Sequence, residues 1–367
     1  MQKEEKRLRI GLLGCGPISQ ATHFDAIRKA RNADLYAICD AAVDLADRMG
    51  EIHKPDKIYY DFDKMLADPD VDAVLIAVAD QFHVPLALKA LSTGKHILIE
   101  KPLGLLVEEC EQLKEAVLAS GLILQVGNNR RFASGMIAAK KFVKDEMGDL
   151  HTFEGWYFDS IYRYTMQDNL YPIPVSSSKT LKPGGDPKIN RQRYTLITHS
   201  PHLIDRAHFL IGKISRVRAR HRTINNSQGW SVELDFENGC LGHIILISPR
   251  HGDFEEGFRV HGKGGMAQGS FLLPWYQRGC VECFKDGEYR RLLGEDDFTF
   301  RRQVEGFADT ILKGVPQHGP NVIEGVDMVR TMVAISISTE SDNWVNIADV
   351  SGGVHAPEIK GEFAKAA

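Results

Sequence analysis

The chain has 367 residues, 43% of them hydrophobic and 26% charged, with a formal net charge of −4. That length exceeds one ordinary core and predicts two domains, while the near-neutral charge, without a basic stripe interleaved with aromatics, argues against nucleic acid as a partner. No apolar run is long enough to cross a bilayer, the charged start "MQKEEKRLRIGLLGCG" lacks a signal-peptide core, and six scattered cysteines suit a reducing compartment, so a cytoplasmic protein with no membrane partner is expected.

From residue 7 to 125 short apolar strands alternate with amphipathic helices. "LRIGLLG" predicts a strand, 18–31 a helix, "DLYAICD" a strand and 42–50 a helix; "KIYY" predicts a short strand and 63–67 a helix. "DAVLIAVA", a helix over 83–93, "HILIEKP", a helix over 107–119 and "LILQVG" complete the series. Such alternation predicts a doubly wound parallel sheet, an α/β Rossmann domain over 1–126. After Gly127 a helix at 134–146 leads into strand-like segments at 150–158, 214–224, 230–237, 240–247, 257–261 and 280–284. A helix at about 201–211 interrupts them, and helices return at 300–313 and 321–340. This pattern predicts an α+β C-terminal domain with a large, mostly antiparallel sheet over 127–350, then a tail at 351–367. Residues 160–195, rich in Pro, Ser, Gly and Tyr, read as a long functional loop. Cys280 and Cys283 form a single C-x-x-C in a strand-and-turn stretch with no second pair, so no zinc or redox role is assigned to them.

Two features point to a dinucleotide. In "GLLGCGPIS" the residues Gly14, Gly16, Pro17, Ile18 and Ser19 follow a strand and open a helix. Gly14 permits a tight turn there, Gly16 a close backbone approach to a pyrophosphate, and Ser19 close packing in place of a third glycine. Asp40 ends the next strand at the spacing where a carboxylate binds a ribose diol; a strand-end helix cap is the bland alternative, and the glycine turn and the carboxylate together favour the ribose. Ala41 and Ala42 follow with no Arg or Lys to receive a 2′-phosphate, which favours NAD over NADP. A further segment, "HILIEKPLG", ends an apolar strand on Glu100 and Lys101, and burying either charge without a partner costs several kcal/mol.

The segments "IGLLGCGPIS", "VLIAVADQFHVPLALKALSTGKHILIEKP" and "VGNNRRF", with "HLIDRAHFLIG" and "FADTILKGVP" farther on, resemble the Gfo/Idh/MocA family of glucose-fructose oxidoreductase and inositol dehydrogenase relatives. The resemblance implies that Lys101 lies beside nicotinamide and substrate as a proton-transfer group or hydrogen-bond donor. It also implies that Ala77, Val78, Asp80, Gln81, His83 and Glu100 line the cofactor, with His83 open to a second reading as a helix-start residue packed on the sheet. A homo-oligomer through the C-terminal sheet is expected.

In "TLITHSPHLIDRAHF", Ser200 and Pro201 read as an N-cap and first-turn pair that places His202 in the opening turn, where a helix N-terminus keeps its imidazole neutral. The matching family histidine contacts the substrate hydroxyl and serves as base, so His202 joins Lys101 as a catalytic candidate. Thr198 stands where the family pattern carries aspartate, and Asp186, His199 or Arg193 are the candidate replacements. His199 and His202 lack a carboxylate or thiolate at ligand spacing, so no metal is expected. The long loop, with Tyr157, Arg163, Tyr164, Asn190 and Tyr194, offers aromatic faces and donors suited to a sugar bearing an aglycone, or else a subunit contact. The expected function is NAD-dependent oxidation of a secondary hydroxyl, C3 first, of a small-molecule sugar or glycoside. The alternatives are a glycoside hydrolase using transient C3 oxidation and an inositol or polyol dehydrogenase.

Overall fold

Burial on both faces explains the first sheet. β1 (Leu8–Leu13), β2 (Ala33–Cys39), β3 (Lys57–Tyr59), β4 (Ala73–Ile76), β5 (His96–Ile99) and β6 (Leu124–Val126) include runs such as Ala73–Ile76 that are buried at every position. Strands of this kind form the centre of a covered parallel sheet. The computed structural model describes residues 6–162, 174–180, 190–271, 280–293 and 298–354, and in it these strands pair in parallel in the order β3-β2-β1-β4-β5-β6. The helices α1 (Phe24–Lys29), α2 (Val43–His53), α3 (Phe62–Leu66), α4 (His83–Ser92) and α5 (Val107–Ser120) connect them, α1 being entered through a π-turn at Ser19–His23. Strand order reverses between β1 and β4, which opens a crevice at their carboxyl ends.

The second sheet has one covered face. β7 (Leu150–Ser160), β8 (Ile214–Ile224), β9 (Ser227–Phe236), β10 (Leu241–Arg250), β11 (Glu255–Gly262), β12 (Gly265–Phe271), β13 (Cys280–Lys285), β14 (Glu288–Leu293) and β15 (Val345–Asn346) run in the order β14-β13-β12-β11-β7-β10-β9-β8-β15. Among these pairings only β7 with β10 is parallel. Along β9 the residues Trp230, Val232, Leu234 and Phe236 are buried while their neighbours are not, the alternation of a half-covered sheet. The covering helices are α6 (Ser134–Glu146), α7 (Arg191–Leu210) and α9 (Val322–Ser341). Cys280 and Cys283 are free thiols on opposite faces of β13. No helix among the described residues is long and apolar enough to cross a membrane.

α7 corrects one expectation. The helix expected at about 201–211 begins ten residues earlier, at Arg191, with Asn190 as its N-cap accepting from the Arg193 N–H at 3.0 Å. Pro201 lies inside the helix, and Ser200, read as its cap, instead donates through Oγ to the Leu196 carbonyl at 2.6 Å. A Ser-Pro pair is a start signal only when nothing upstream is helical. Here Leu196, Ile197, Leu203 and Ile204 are all buried on either side of the proline, and their packing outweighs one lost backbone bond.

The two domains are joined by packing and by buried charge. Phe300, Val304, Phe307 and Ala308 of α8 (Thr299–Lys313) pack into the same core as Leu8, Ile10, Phe24 and Ile27 of the first domain. A buried ionic network ties α7 to the second sheet and to the turn after β6. In it Arg206 donates to Glu256 at 3.0 Å and to the Gly257 carbonyl at 3.0 Å, and Arg130 donates to the other Glu256 oxygen at 3.2 Å. Removing the shared carboxylate strands two buried guanidiniums, so Glu256→Ala is expected to cost about 3–5 kcal/mol of stability in urea unfolding. A loss under about 1 kcal/mol would show that the network does not hold the domain together.

Candidate active site

The strand-to-helix turn after β1 is shaped by two glycines in different ways. Gly14 has φ +97°, and a Cβ there would come within 2.4 Å of the Ala77 carbonyl oxygen, so glycine is required. Gly16 has no atom within 4 Å of where its Cβ would stand, which leaves that side of the turn open to a ligand. Ser19 is buried, and its Oγ donates to the Gly14 carbonyl at 2.6 Å, closing the turn in place of the third glycine. Asp40, at the carboxyl end of β2, accepts from the Cys15 N–H and from the Ala42 N–H, both at 2.8 Å. It therefore fastens the glycine turn and caps its own, and a carboxylate with about four acceptor positions still has room for a ribose diol. Open space at Gly16 beside this carboxylate fits the pyrophosphate and ribose of a dinucleotide.

The described part of the long loop lies against this turn. The Val175 backbone exchanges hydrogen bonds of 2.8 and 2.9 Å with the Gln20 side-chain amide, and Ser177 Oγ donates to the Asp44 carboxylate at 2.8 Å. No residue of 174–180 lines the cavity described next. The Gln20 amide offers a donor and an acceptor side by side, which suits an extended backbone and draws this segment onto the first domain. Arg163, Tyr164 and Asp186 lie outside the described residues.

At the end of β5 the two charges diverge. Glu100 turns inward, one oxygen 2.9 Å from His23 Nε2 and the other accepting from the Lys101 N–H at 3.2 Å. Burial alone would raise the Glu100 carboxyl, but the His23 hydrogen bond and the surroundings of His23, Lys101 and His83 hold it below the usual carboxylate range. Lys101 reaches the other way and donates through Nζ to the Thr198 carbonyl of α7 at 3.0 Å. His83 is buried at the start of α4 with Nδ1 2.7 Å from the Pro102 carbonyl and Nε2 3.2 Å from that of Val78, so it ties together the loops after β4 and β5. Ala77 is packed against Gly14, and Gln81 lies half-buried in a 3-10 turn (Asp80–Phe82) off the cavity wall.

A cavity of about 230 Å³ opens where these elements meet. Ile18, Val78, Asp80, Glu100 and Lys101 form its first-domain wall, Asn129 and Arg130 follow β6, and Tyr157, Thr198, His199 and His202 face them from the second domain. Thr198 and His202, four apart on α7, share one helical face. The Tyr157 ring stacks on both histidines, at 5.0 Å and 25° from His199 and at 5.8 Å and 14° from His202. Asp159, two residues along the same face of β7, lies 3.7 Å from His199 Nε2. Sequence reasoning missed this aspartate, and its only signal was the strand alternation that puts it beside Tyr157. Asn190 is occupied as the α7 cap, and Tyr194 packs edge-on against His199 at 6.4 Å.

The cause assigned to a neutral His202 is corrected as well. It sits in the second half of α7, away from any N-terminal dipole, and its pKa is nevertheless pushed well below the usual imidazole range. Burial is the largest cause, followed by the positive charges of Arg130 and Lys101 and the neighbouring His199 and Arg206. His202 Nδ1 and Thr198 Oγ1 are buried polar atoms without a hydrogen-bond partner among the described residues, in a cavity where a hydroxyl-bearing ligand would satisfy them. No group of three or more His, Cys, Asp or Glu side chains able to hold a metal occurs among the described residues.

Comparison with known proteins agrees with this arrangement. Residues 8–128 match the GFO_IDH_MocA model, described as an oxidoreductase family with an NAD-binding Rossmann fold. The chain is 29% identical to the levoglucosan dehydrogenase of Pseudarthrobacter phenanthrenivorans over 343 residues, covering 79% of this chain and 84% of that one. It is 33% identical to the myo-inositol 2-dehydrogenase of Thermotoga maritima over 138 residues, covering 38% and 41% of the two chains. A solved structure of levoglucosan dehydrogenase in complex with NADH and levoglucosan shares the fold, with a TM-score of 0.76 at 21% identity over 93% of this chain and 100% of that one. With its glycine turn and its strand-end carboxylate, residues 8–128 of the chain match the NAD-binding Rossmann domain of the Gfo/Idh/MocA oxidoreductases.

Proposed function

We propose that the protein oxidises a secondary hydroxyl of a sugar with NAD, C3 of a glucoside being the first candidate. The observation that carries this reading is the meeting of Lys101, the Thr198 hydroxyl and a neutral His202 in one cavity at the carboxyl ends of the parallel strands. Bound NAD supplies the hydride acceptor. Oxidation of a CH–OH group sends the C–H hydrogen away with its electron pair and leaves the hydroxyl proton to be taken by a base. His202, neutral and buried, accepts that proton, while the Lys101 ammonium donates a hydrogen bond to the same oxygen and stabilises the developing alkoxide.

Tyr157 keeps the His202 ring in plane by stacking on it, and the Asp159–His199 pair places a carboxylate beside the site where the family pattern has one at position 198. Relatives named for levoglucosan and for inositols act on ring compounds with secondary hydroxyls, a substrate size that matches a cavity of about 230 Å³.

Lys101→Ala and His202→Ala are each expected to retain NADH binding while lowering single-turnover hydride transfer by about two to four orders of magnitude, the usual worth of an acid–base contribution. Normal turnover in His202→Ala would move the base elsewhere, with His199 next in line.

Because the His202 pKa is lowered, its imidazole stays unprotonated as pH falls through the ordinary histidine value of about 6.5. The pH profile of kcat/KM is therefore expected to show no acidic limb near 6.5, and an apparent pKa there would contradict a desolvated base.

A panel of glucosides, free glucose, levoglucosan and inositols, read by nicotinamide absorbance with product analysis, tests the substrate. The glucoside reading expects turnover of glucosides with the aglycone still attached. Inositol as the sole substrate would replace it, and release of the aglycone would indicate the hydrolase alternative.

A further inference from the structure

We propose that the groove between α6 and the C-terminal end of α7 binds a phosphate-bearing small molecule through Lys140 and Lys144. A second cavity, of about 570 Å³, lies there, and none of its lining residues belongs to the active-site cavity. Ile137, Lys140, Lys141 and Lys144 present one face of α6 to it, at the three- and four-residue spacing of a helix. Phe209 of α7 and His318 from the connection before α9 stand opposite.

The charges in this groove do not balance. Arg131 is paired with Asp205 and Glu324, each at 2.7 Å, and Lys141 with Asp145 at 2.7 Å. Lys140 and Lys144 make no ion pair among the described residues; Glu324 and Asp145, which also line the groove, pair with Arg131 and Lys141 and reach these two ammoniums only at longer range. Lys140 is half-buried, and its ammonium lies 5.8 Å from the centre of the Phe209 ring, while the Arg131 guanidinium lies 5.1 Å from the same ring. Burial, Arg131 and Lys144 together pull its pKa down, and the more distant charge of Glu324 offsets this only in part.

Two unpaired ammoniums match the charge of a phosphate monoester, about −1.5 to −2 at neutral pH. The planar fork of Arg131, which would suit a carboxylate, is already taken by Asp205 and Glu324. What remains are point-charge donors that suit phosphate oxygens. The groove is larger than a phosphate group, and Ile137 and Phe209 give the organic part of the ligand an apolar wall. Arg131 also connects the groove with α7, through Asp205 one turn beyond His202.

The test is calorimetric titration of the full chain with glycerol 3-phosphate. Saturating NADH keeps the dinucleotide turn from taking up phosphate, and sodium chloride fixes the ionic strength. Saturable binding is expected, weakened about tenfold by Lys140→Gln and again by Lys144→Gln, the worth of one charge-assisted contact each. NADH affinity and the thermal unfolding midpoint are expected to stay at their original values in both variants. If Lys140→Gln fails to fold, Lys140→Met repeats the measurement, keeping the stem on Phe209 and removing only the charge. Non-saturable uptake, or binding that the variants leave unchanged, overturns the site. Citrate binding more tightly than glycerol 3-phosphate overturns the choice of phosphate.

Discussion

The end of β5 sets the terms for the whole molecule. A buried strand that finishes on a carboxylate and an ammonium cannot let the two side chains satisfy each other, because neighbours in an extended chain point to opposite faces. Each must find a partner brought from elsewhere. Glu100 finds His23, on the π-turn leading into α1 behind the dinucleotide turn, and Lys101 finds the Thr198 carbonyl on a helix of the second domain. Satisfying these two charges places the glycine turn, the lysine and α7 around one space, so the docking of the domains and the assembly of the cavity are a single event.

α7 turns that docking into chemistry. Its continuity through Pro201 carries Thr198, His199 and His202 on a rigid element, while Arg206 farther along is anchored in the second sheet through Glu256. The same burial that stabilises the helix strips His202 of water. A group stabilised by solvation in the unfolded chain thus becomes a neutral acceptor in the folded one, and the cost is met by the surrounding packing.

Much of this was legible in the sequence, for physical reasons that differ from place to place. The first domain was read almost residue by residue, because its covered parallel strands are apolar throughout and its helices carry a clear period; α5 was expected at 107–119 and spans Val107–Ser120. In the second domain β12 and β14 went unrecognised. β12 is rich in glycine, and β14 is an edge strand rich in charge, so both take their form from the partner strand rather than from their own pattern. The glycine turn and Asp40 were singled out by local motif and Lys101 and His202 through the family resemblance, and the structure lines one cavity with the last two. The His23–Glu100 pair spans 77 positions and Asp159 depends on strand register, so neither leaves a local trace. The Ser-Pro pair inside α7 misled because a start signal was read without weighing the burial on either side of it.

The packing of α8 bears on how the chain is made. Phe300, Val304, Phe307 and Ala308 complete a core whose other buried members lie between Leu8 and Leu98, and Asn32 is held by the Glu305 carbonyl and the Asp309 carboxylate, each at 2.9 Å. A nascent chain that has emerged through β6 has every strand of its parallel sheet and still lacks the cover for Phe24 and Ile27. That apolar face stays open on the ribosome until residues 299–313 appear, so the core of the parallel-sheet domain closes only after most of the second sheet has been made.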